Sequence, residues 1–140
     1  MRVVLDASVI VKWLAPVLND EPHAERALKL LAMIQSERLS LVEPPHWLAE
    51  VAAVVARLSP DSAEQKVMAL YALNFPVVAS PEVYLMACKL SRELEHHLFD
   101  TLYHAVALES RDTVLVTADE RYYEKAERRG GVVLLSEFRF

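Results

Sequence analysis

Glycine and cysteine are scarce in this chain, and their scarcity excludes several kinds of functional site. The 140 residues include two glycines, Gly130 and Gly131, and a single cysteine, Cys88. A dinucleotide-binding fingerprint, a P-loop or a glycine-flanked nucleophile elbow needs spaced glycines after a strand, so the sequence contains none of these. One cysteine permits neither an intrachain disulfide nor a cysteine-pair zinc site, and it favours a reducing compartment such as the cytoplasm.

The chain also lacks an excess of positive charge and any long apolar run. Its 15 basic and 20 acidic residues give a formal net charge of −5, which argues against nonspecific nucleic-acid binding through a broad basic surface. Apolar segments are interrupted well short of the roughly 20 residues of a membrane span. Asp6 and Lys12 interrupt the region where a secretory signal would lie. We therefore expect a cytoplasmic protein without a membrane partner, folded as one domain over residues 1–140.

Strand-like and helical segments alternate along the chain. Short β-branched segments predict strands at 2–5, 39–42, 76–79, 114–117 and 132–135. Helical spacing of apolar residues and terminal signals predict helices at about 20–35, 46–58, 60–74, 81–96, 100–110 and 120–129. Asp20, Ser59 and Ser80 are expected caps, and the two glycines should end the last helix. This alternation predicts an α/β fold with a mainly parallel sheet of about five strands, covered on both faces.

Four carboxylates each stand alone within or at the end of an apolar stretch. They are Asp6, Glu50, Asp100 and Asp119. An ionised carboxylate in a protein interior is costly unless it is paired or bound to a metal, and no obvious basic partner accompanies these four. A divalent cation is therefore the expected counter-charge. Oxygen ligands without cysteine favour Mg²⁺ or Mn²⁺.

The predicted elements suggest how these acids come together. Asp6 and Asp119 follow strands, and the carboxyl ends of parallel strands form the binding edge of an open sheet. Glu50 shares an apolar helical face, so it should point inward, and Asp100 begins a helix. Each acid taken alone has a structural alternative, because Asp100 and Asp119 suit helix capping and Asp6 suits a turn. Four such coincidences are less plausible than one shared metal site.

Nearby polar residues offer supporting and alternative roles. Ser8 and Thr117 lie two residues from Asp6 and Asp119, where their hydroxyls can hydrogen-bond the ligands or metal-bound waters. His97, Asp100 and His104 fall on one helical face and form an alternative transition-metal group. We favour ordinary core or surface histidines there, because a dedicated site usually recruits a fourth ligand at a clear spacing.

Four segments that carry these acids resemble the motifs of PIN-domain ribonucleases. They are Val3–Ile10, Leu48–Val51, Phe99–Ala107 and Val116–Asp119. Their order and the small single-domain format are similar to the VapC-type toxins of toxin–antitoxin pairs. The resemblance implies a three-layer α/β/α sandwich and Mg²⁺- or Mn²⁺-dependent cleavage of RNA. It also implies a cognate antitoxin and a homodimer.

By the same resemblance, the metal ligands and catalytic acids fall on Asp6, Glu50, Asp100 and Asp119. Ser8 and Thr117 match supporting polar positions. Lys12 and Arg121 follow the two strand-end acids and are candidate contacts to RNA phosphate, although solvated surface is the plainer interpretation of both.

Three alternative functions remain open at the level of the sequence. The first is a Mg²⁺-dependent phosphatase with Asp6 as nucleophile, although Ser8 stands where the haloacid-dehalogenase signature has a second aspartate. The second is a PIN-type RNA-processing nuclease without an antitoxin. The third is a non-catalytic PIN-fold binding module, which the complete set of four acids disfavours.

Overall fold

A computed structural model describes residues 1–14 and 21–140 of the chain. Within them, four strands form one parallel sheet: β1 (Arg2–Leu5), β2 (Ser40–Leu41), β3 (Thr113–Thr117) and β4 (Val132–Leu134). Their order across the sheet is β2-β1-β3-β4, so the first strand lies between the second and the third. The register pairs Val3 with Leu41 on one side and with Val114 on the other. The α/β class and the parallel sheet are confirmed.

Helices flank this sheet. In the described residues they are α1 (Ala7–Leu14), α2 (Ala24–Gln35), α3 (Trp47–Leu58), α4 (Ala63–Ala72), α5 (Pro81–Leu94), α6 (Leu98–Glu109) and α7 (Glu120–Ala126). Short 3₁₀ turns precede α4 at Pro60–Ser62 and follow α7 at Glu127–Arg129. The positions of six of these helices agree with the sequence prediction within a few residues. None of the described helices has both the length and the apolar character that a membrane crossing requires.

The helix boundaries show which terminal signals the chain uses. Ser80 is extended and Pro81 is the first residue of α5, as predicted for a proline whose missing N–H would be unpaired at that position. Ser59 and Pro60 begin a 3₁₀ turn, and α4 proper starts only at Ala63. Gly130 adopts φ 77° directly after the 3₁₀ turn, which confirms the predicted stop. The predicted cap at Asp20 lies outside the described residues.

One predicted strand does not form, and one helix was not predicted. The sheet has four strands, because residues 76–79 contribute a single parallel bridge between Val77 and Glu43 and no strand. Helix α1 was not predicted at all, although it begins immediately after Asp6 and buries Val9 and Ile10 completely. Its eight residues are too short, and too uniformly apolar, for a helical period to be distinguished from a strand end.

The core forms around the two central strands. Val3, Val4 and Leu5 of β1 and Val116 of β3 are fully buried, as expected for parallel strands covered on both faces. Helix α6 packs against both strands and is buried without interruption from Thr101 to Ala107. This packing fixes the carboxyl ends of β1 and β3 beside the first turn of α6.

A buried glutamate, Glu43, completes the hydrogen bonding at the end of β1. Its main chain pairs with the segment around Val77, with Glu43 N donating to Pro76 O at 2.9 Å. The chain therefore leaves the sheet edge, and Glu43 Oε1 accepts the hydrogen bond of Leu5 N at 2.8 Å. Burial raises the pKa of this carboxyl well above its ordinary range, with a further rise from the charge of Asp6. Glu43 thus holds the backbone immediately before Asp6.

Replacing Glu43 should separate the acceptor role of this residue from its charge. Because the native state retains the Glu43 proton to a higher pH than the unfolded chain does, stability should fall as pH rises above about 4.3. Glu43→Gln keeps an acceptor for Leu5 N and has no proton to lose. We expect its melting temperature to rise relative to the wild type between about pH 4 and about pH 8.

Two controls accompany the thermal unfolding measurements. The exposed Glu64→Gln variant should show no such pH-dependent difference. Glu43→Leu should lower the free energy of unfolding by about 1–3 kcal/mol, because it leaves Leu5 N without its acceptor. An equal difference between Glu43→Gln and the wild type at both pH values would contradict the buried-acid account.

Candidate metal and nuclease site

Two hydroxyl groups hold the carboxylate of Asp6 at the end of β1. Ser8 Oγ and Thr117 Oγ1 each donate a hydrogen bond to Asp6 Oδ2 at 2.8 Å. The same hydroxyls accept from the backbone that follows β3, Ser8 Oγ from Ala118 N and Thr117 Oγ1 from Asp119 N, both at 3.0 Å. Both predicted supporting residues therefore contact Asp6, and they join the ends of β1 and β3.

The environment of Asp6 disfavours its charge. Burial raises the pKa of Asp6 to about 6, while the hydrogen bonds from Ser8 and Thr117 lower it. The negative charges of Asp100 and Glu50 raise this pKa further. The three acids thus lie close enough at one end of the sheet for the charges of Asp100 and Glu50 to act on Asp6.

Asp119 is the N-cap of α7. Its Oδ1 accepts a hydrogen bond from Tyr122 N at 3.1 Å, so the capping alternative describes a real contact. That bond occupies one of the two carboxylate oxygens, and it orients the other without neutralising the charge. Capping and metal ligation are therefore compatible at this residue.

Asp100 is paired with a histidine that sequence reasoning did not select. It is the third residue of α6, and His97 holds the N-cap position, so the capping interpretation of Asp100 was wrong. Its Oδ2 lies 2.7 Å from Nε2 of His96, whose side chain is 8% exposed. The partner of Asp100 thus comes from the connection between α5 and α6.

Glu50 lies in the first turn of α3 and is only partly buried. Its Oε1 is 2.9 Å from Nε2 of His46, and its side chain is 32% exposed. The same nitrogen of His46 lies 2.7 Å from Phe99 O, at the start of α6. These contacts bring Glu50 towards the N-terminus of α6, where Asp100 lies.

The described residues include one compact group of potential metal ligands. Ligand atoms of His96, Asp100 and Asp119 all lie within 4.8 Å of one another. Asp6 and Glu50 are not part of this tight group, although the charges of Glu50 and Asp100 act on Asp6. The structure therefore gathers the four predicted acids at one end of the sheet without closing them around a single point.

The donor set fits a hard divalent cation. None of the four acids forms an ion pair with a lysine or arginine within residues 1–14 and 21–140, and the partners of Glu50 and Asp100 are histidines. A further buried oxygen beside the acids, Glu43 Oε2, has no hydrogen-bond partner there. Burial and the charges of Glu50, Glu43 and Asp6 raise the pKa of Tyr103, which shows how acidic this region is. A Mg²⁺ or Mn²⁺ ion would supply the missing positive charge.

The alternative histidine group on α6 does not form. His97 is exposed at the helix N-terminus. His104 is fully buried, with Nε2 donating to Gly130 O at 2.7 Å and Nδ1 accepting from Tyr122 Oη at 2.9 Å. Burial lowers the pKa of His104, as expected for a neutral core histidine. Both ring nitrogens are therefore occupied by structural hydrogen bonds.

A cavity of about 540 Å³ opens beside Asp100 and Asp119. Arg121, Lys125 and His97 are among the other residues that line it. Lys12 is not among the lining residues. It is buried, and its Nζ forms an ion pair with Glu21 at 2.8 Å. Of the two predicted phosphate contacts, Arg121 thus lines the cavity, whereas Lys12 is paired with Glu21.

Sequence reasoning missed His96 and Glu43. His96 was overlooked because helical spacing was counted from His97, whereas the helix starts at Leu98 and His96 lies in the preceding connection. Glu43 carried the same signal as the four selected acids, since it ends the apolar pair Leu41-Val42 just before two prolines. A strand-end carboxylate before a chain reversal was therefore visible in the sequence.

Comparison with known proteins agrees with this geometry. The family model of the PIN domain matches residues 3–128, and the chain belongs to the PIN-domain family. No curated protein sequence matches the chain. Among solved structures it is similar to VapBC2 from Rickettsia felis bound to a DNA fragment from their promoter. That match has a TM-score of 0.65 and 17% identity, and it covers 96% of this chain and 97% of the other. It shows a shared fold.

The pH dependence of metal binding should report the state of Asp6. Burial raises its pKa to about 6, so below that pH a proton must leave before a cation can bind. We expect Mn²⁺ affinity, measured by isothermal titration calorimetry, to be constant above about pH 7. Below about pH 6 it should fall by up to about tenfold per pH unit.

A substitution at Thr117 provides a directional check on this prediction. Thr117→Val removes a hydrogen bond that lowers the pKa of Asp6, so the midpoint of the pH dependence should move to higher pH. Thr113→Val, at the start of the same strand, should leave the midpoint unchanged because the Thr113 hydroxyl bonds Arg111 O. An identical midpoint in the wild type and Thr117→Val would contradict the role given to this hydroxyl.

Proposed function

We propose that this PIN-domain protein is a divalent-cation-dependent endoribonuclease. The observation that supports the proposal most directly is the gathering of four acids from α3, α6 and the ends of β1 and β3 without a lysine or arginine partner in the described residues. Carboxylates alone repel a phosphodiester, so such a cluster is chemically useful only together with a cation. PIN domains are typically nucleases, which agrees with this chemistry.

In the proposed site, Asp6, Glu50, Asp100 and Asp119 hold one or two Mg²⁺ or Mn²⁺ ions. When bound, the cation supplies a water of lowered pKa and offsets the charge of the phosphate. The chain contributes the geometry. Ser8 and Thr117 fix the orientation of Asp6, and Arg121 faces the phosphate from the wall of the cavity. Attack of a water molecule on phosphorus, in line with the leaving 3′-oxygen, would then hydrolyse the RNA backbone.

We further propose that the nuclease is the toxin of a toxin–antitoxin pair and acts in the cytoplasm as a homodimer. The motif order resembles VapC-type toxins, and the overall fold resembles a chain of the VapBC2 structure over nearly its full length. A cognate antitoxin would neutralise the activity in the resting cell.

Cleavage of a mixed RNA pool tests the nuclease activity. Purified protein with Mn²⁺ or Mg²⁺ should cleave RNA, and EDTA should abolish cleavage. Asp6→Asn and Asp100→Asn should each lower the rate of cleavage. The decrease should exceed the factor of about 10 to 100 that is typical when a group supporting a metal ligand is removed. The exposed control Asp61→Asn should retain full activity. Full activity in folded Asp6→Asn protein would refute the metal-site assignment, and a phosphoaspartate at Asp6 would favour the phosphatase.

Growth of a bacterial host separates the toxin from a housekeeping nuclease. Induced expression of the wild type should stop growth, whereas Asp6→Asn should not, because toxicity requires cleavage. Cleavage in vitro without growth arrest would favour an RNA-processing enzyme that has no antitoxin. Growth arrest by both proteins would instead point to a binding module.

A further inference from the structure

We propose that His96 is a positioning residue that orients Asp100 for metal binding, and that Lys125 fixes its tautomer. The inference rests on the proposed role of Asp100 as a metal ligand. It concerns a histidine that lies outside the four acidic motifs and that no part of the proposed chemistry has so far used.

The hydrogen bonds determine where the proton of the His96 ring lies. Lys125 Nζ is 3.2 Å from Nδ1 of His96 and 3.1 Å from Glu95 O. An ammonium group is only a donor, so Nδ1 must accept this hydrogen bond. The ring hydrogen is therefore on Nε2, where it is donated to Asp100 Oδ2 at 2.7 Å. Lys125, His96 and Asp100 form a directed chain that ends on the metal site.

Main-chain hydrogen bonds and an aromatic contact hold His96 in place. Its main chain is joined to α5 in both directions, because His96 N donates to Ser91 O and Ser91 Oγ donates to His96 O. Its ring packs edge-on against the ring of Tyr122, with centroids 4.9 Å apart. Since Asp119 caps Tyr122 N, one short network orients both carboxylates of the compact ligand group.

This arrangement favours donation to Asp100 over direct ligation of the cation by His96. A metal on Nε2 would require that nitrogen to lose its hydrogen, and a neutral ring would then carry the hydrogen on Nδ1, facing Lys125. The observed contacts instead leave the imidazole as a donor to the carboxylate, which supplies the oxygen ligand. Hydrogen-bonded partners of metal ligands commonly set the ligand orientation and affect affinity by about 10- to 100-fold.

Mn²⁺ binding at neutral pH tests the proposal without relying on cleavage. His96→Leu should weaken Mn²⁺ affinity by about 10- to 100-fold. His96→Gln should lose less, because its amide places a donor near the position of Nε2, and Lys125→Met should fall between the wild type and His96→Leu. The neighbouring His97→Ala should bind Mn²⁺ as the wild type does, since the His97 side chain is exposed and only its main-chain oxygen, which alanine retains, accepts a hydrogen bond from Asp100 N.

The outcomes distinguish this inference from the proposed function. Melting temperatures close to that of the wild type in His96→Gln and Lys125→Met would exclude a purely structural effect. Wild-type Mn²⁺ affinity in all three variants at positions 96 and 125 would overturn the positioning role and leave the nuclease proposal intact. A wild type that binds no Mn²⁺ would refute both. Pulsed electron paramagnetic resonance that detects a directly bonded nitrogen in the wild type but not in His96→Gln would show ligation and overturn the donor role.

Discussion

The site depends on one shared acceptor, Asp6 Oδ2, to which the hydroxyls of Ser8 and Thr117 donate. Each hydroxyl also binds a backbone N–H after β3, so the same two side chains satisfy the ends of both central strands. The same hydrogen bonds also affect the charge of Asp6. The hydrogen bonds hold the carboxylate in position but do not compensate its desolvation, and its pKa remains raised to about 6. The fold thus holds this carboxyl group in a defined position without giving it a lysine or arginine partner in the described residues.

The acids that surround Asp6 likewise have no lysine or arginine partner in the described residues. Histidines contact Glu50 and Asp100, where lysine or arginine would neutralise the cluster permanently. Glu43, buried behind Leu5, adds negative potential if it ionises, and burial keeps its pKa high. The protein therefore orients its carboxylates through hydroxyl groups, imidazole rings and backbone N–H groups. Such an arrangement leaves the negative charge of the cluster to be offset by the cation proposed above.

Most of the fold was accessible from the sequence because the central strands are short, β-branched and fully covered. Residues 76–79 had the same composition but form one bridge only, since Pro76 lacks an N–H and the segment pairs with Glu43 after β2 has ended. The four acids could be found because a lone charge in an apolar run is conspicuous. Ser8 and Thr117 could also be selected as supporting residues, but the convergence of both hydroxyls on Asp6 Oδ2 and the contact of His96 could not be predicted, because both depend on tertiary geometry.

The order of the elements along the chain also constrains when the site can exist. Asp6 and its partner Thr117 are separated by 111 positions, and β1 has β3 as an immediate neighbour in the sheet. A growing chain on the ribosome can pair β1 with β2 early, but it still lacks β3, which supplies Thr117, and Asp119, which follows β3. Of the four acids only Asp6 has been synthesised by the end of β2, and Glu50 and Asp100 are both added before the strand that precedes Asp119. A nascent chain of this protein therefore stays without a complete acid cluster until most of it has been synthesised.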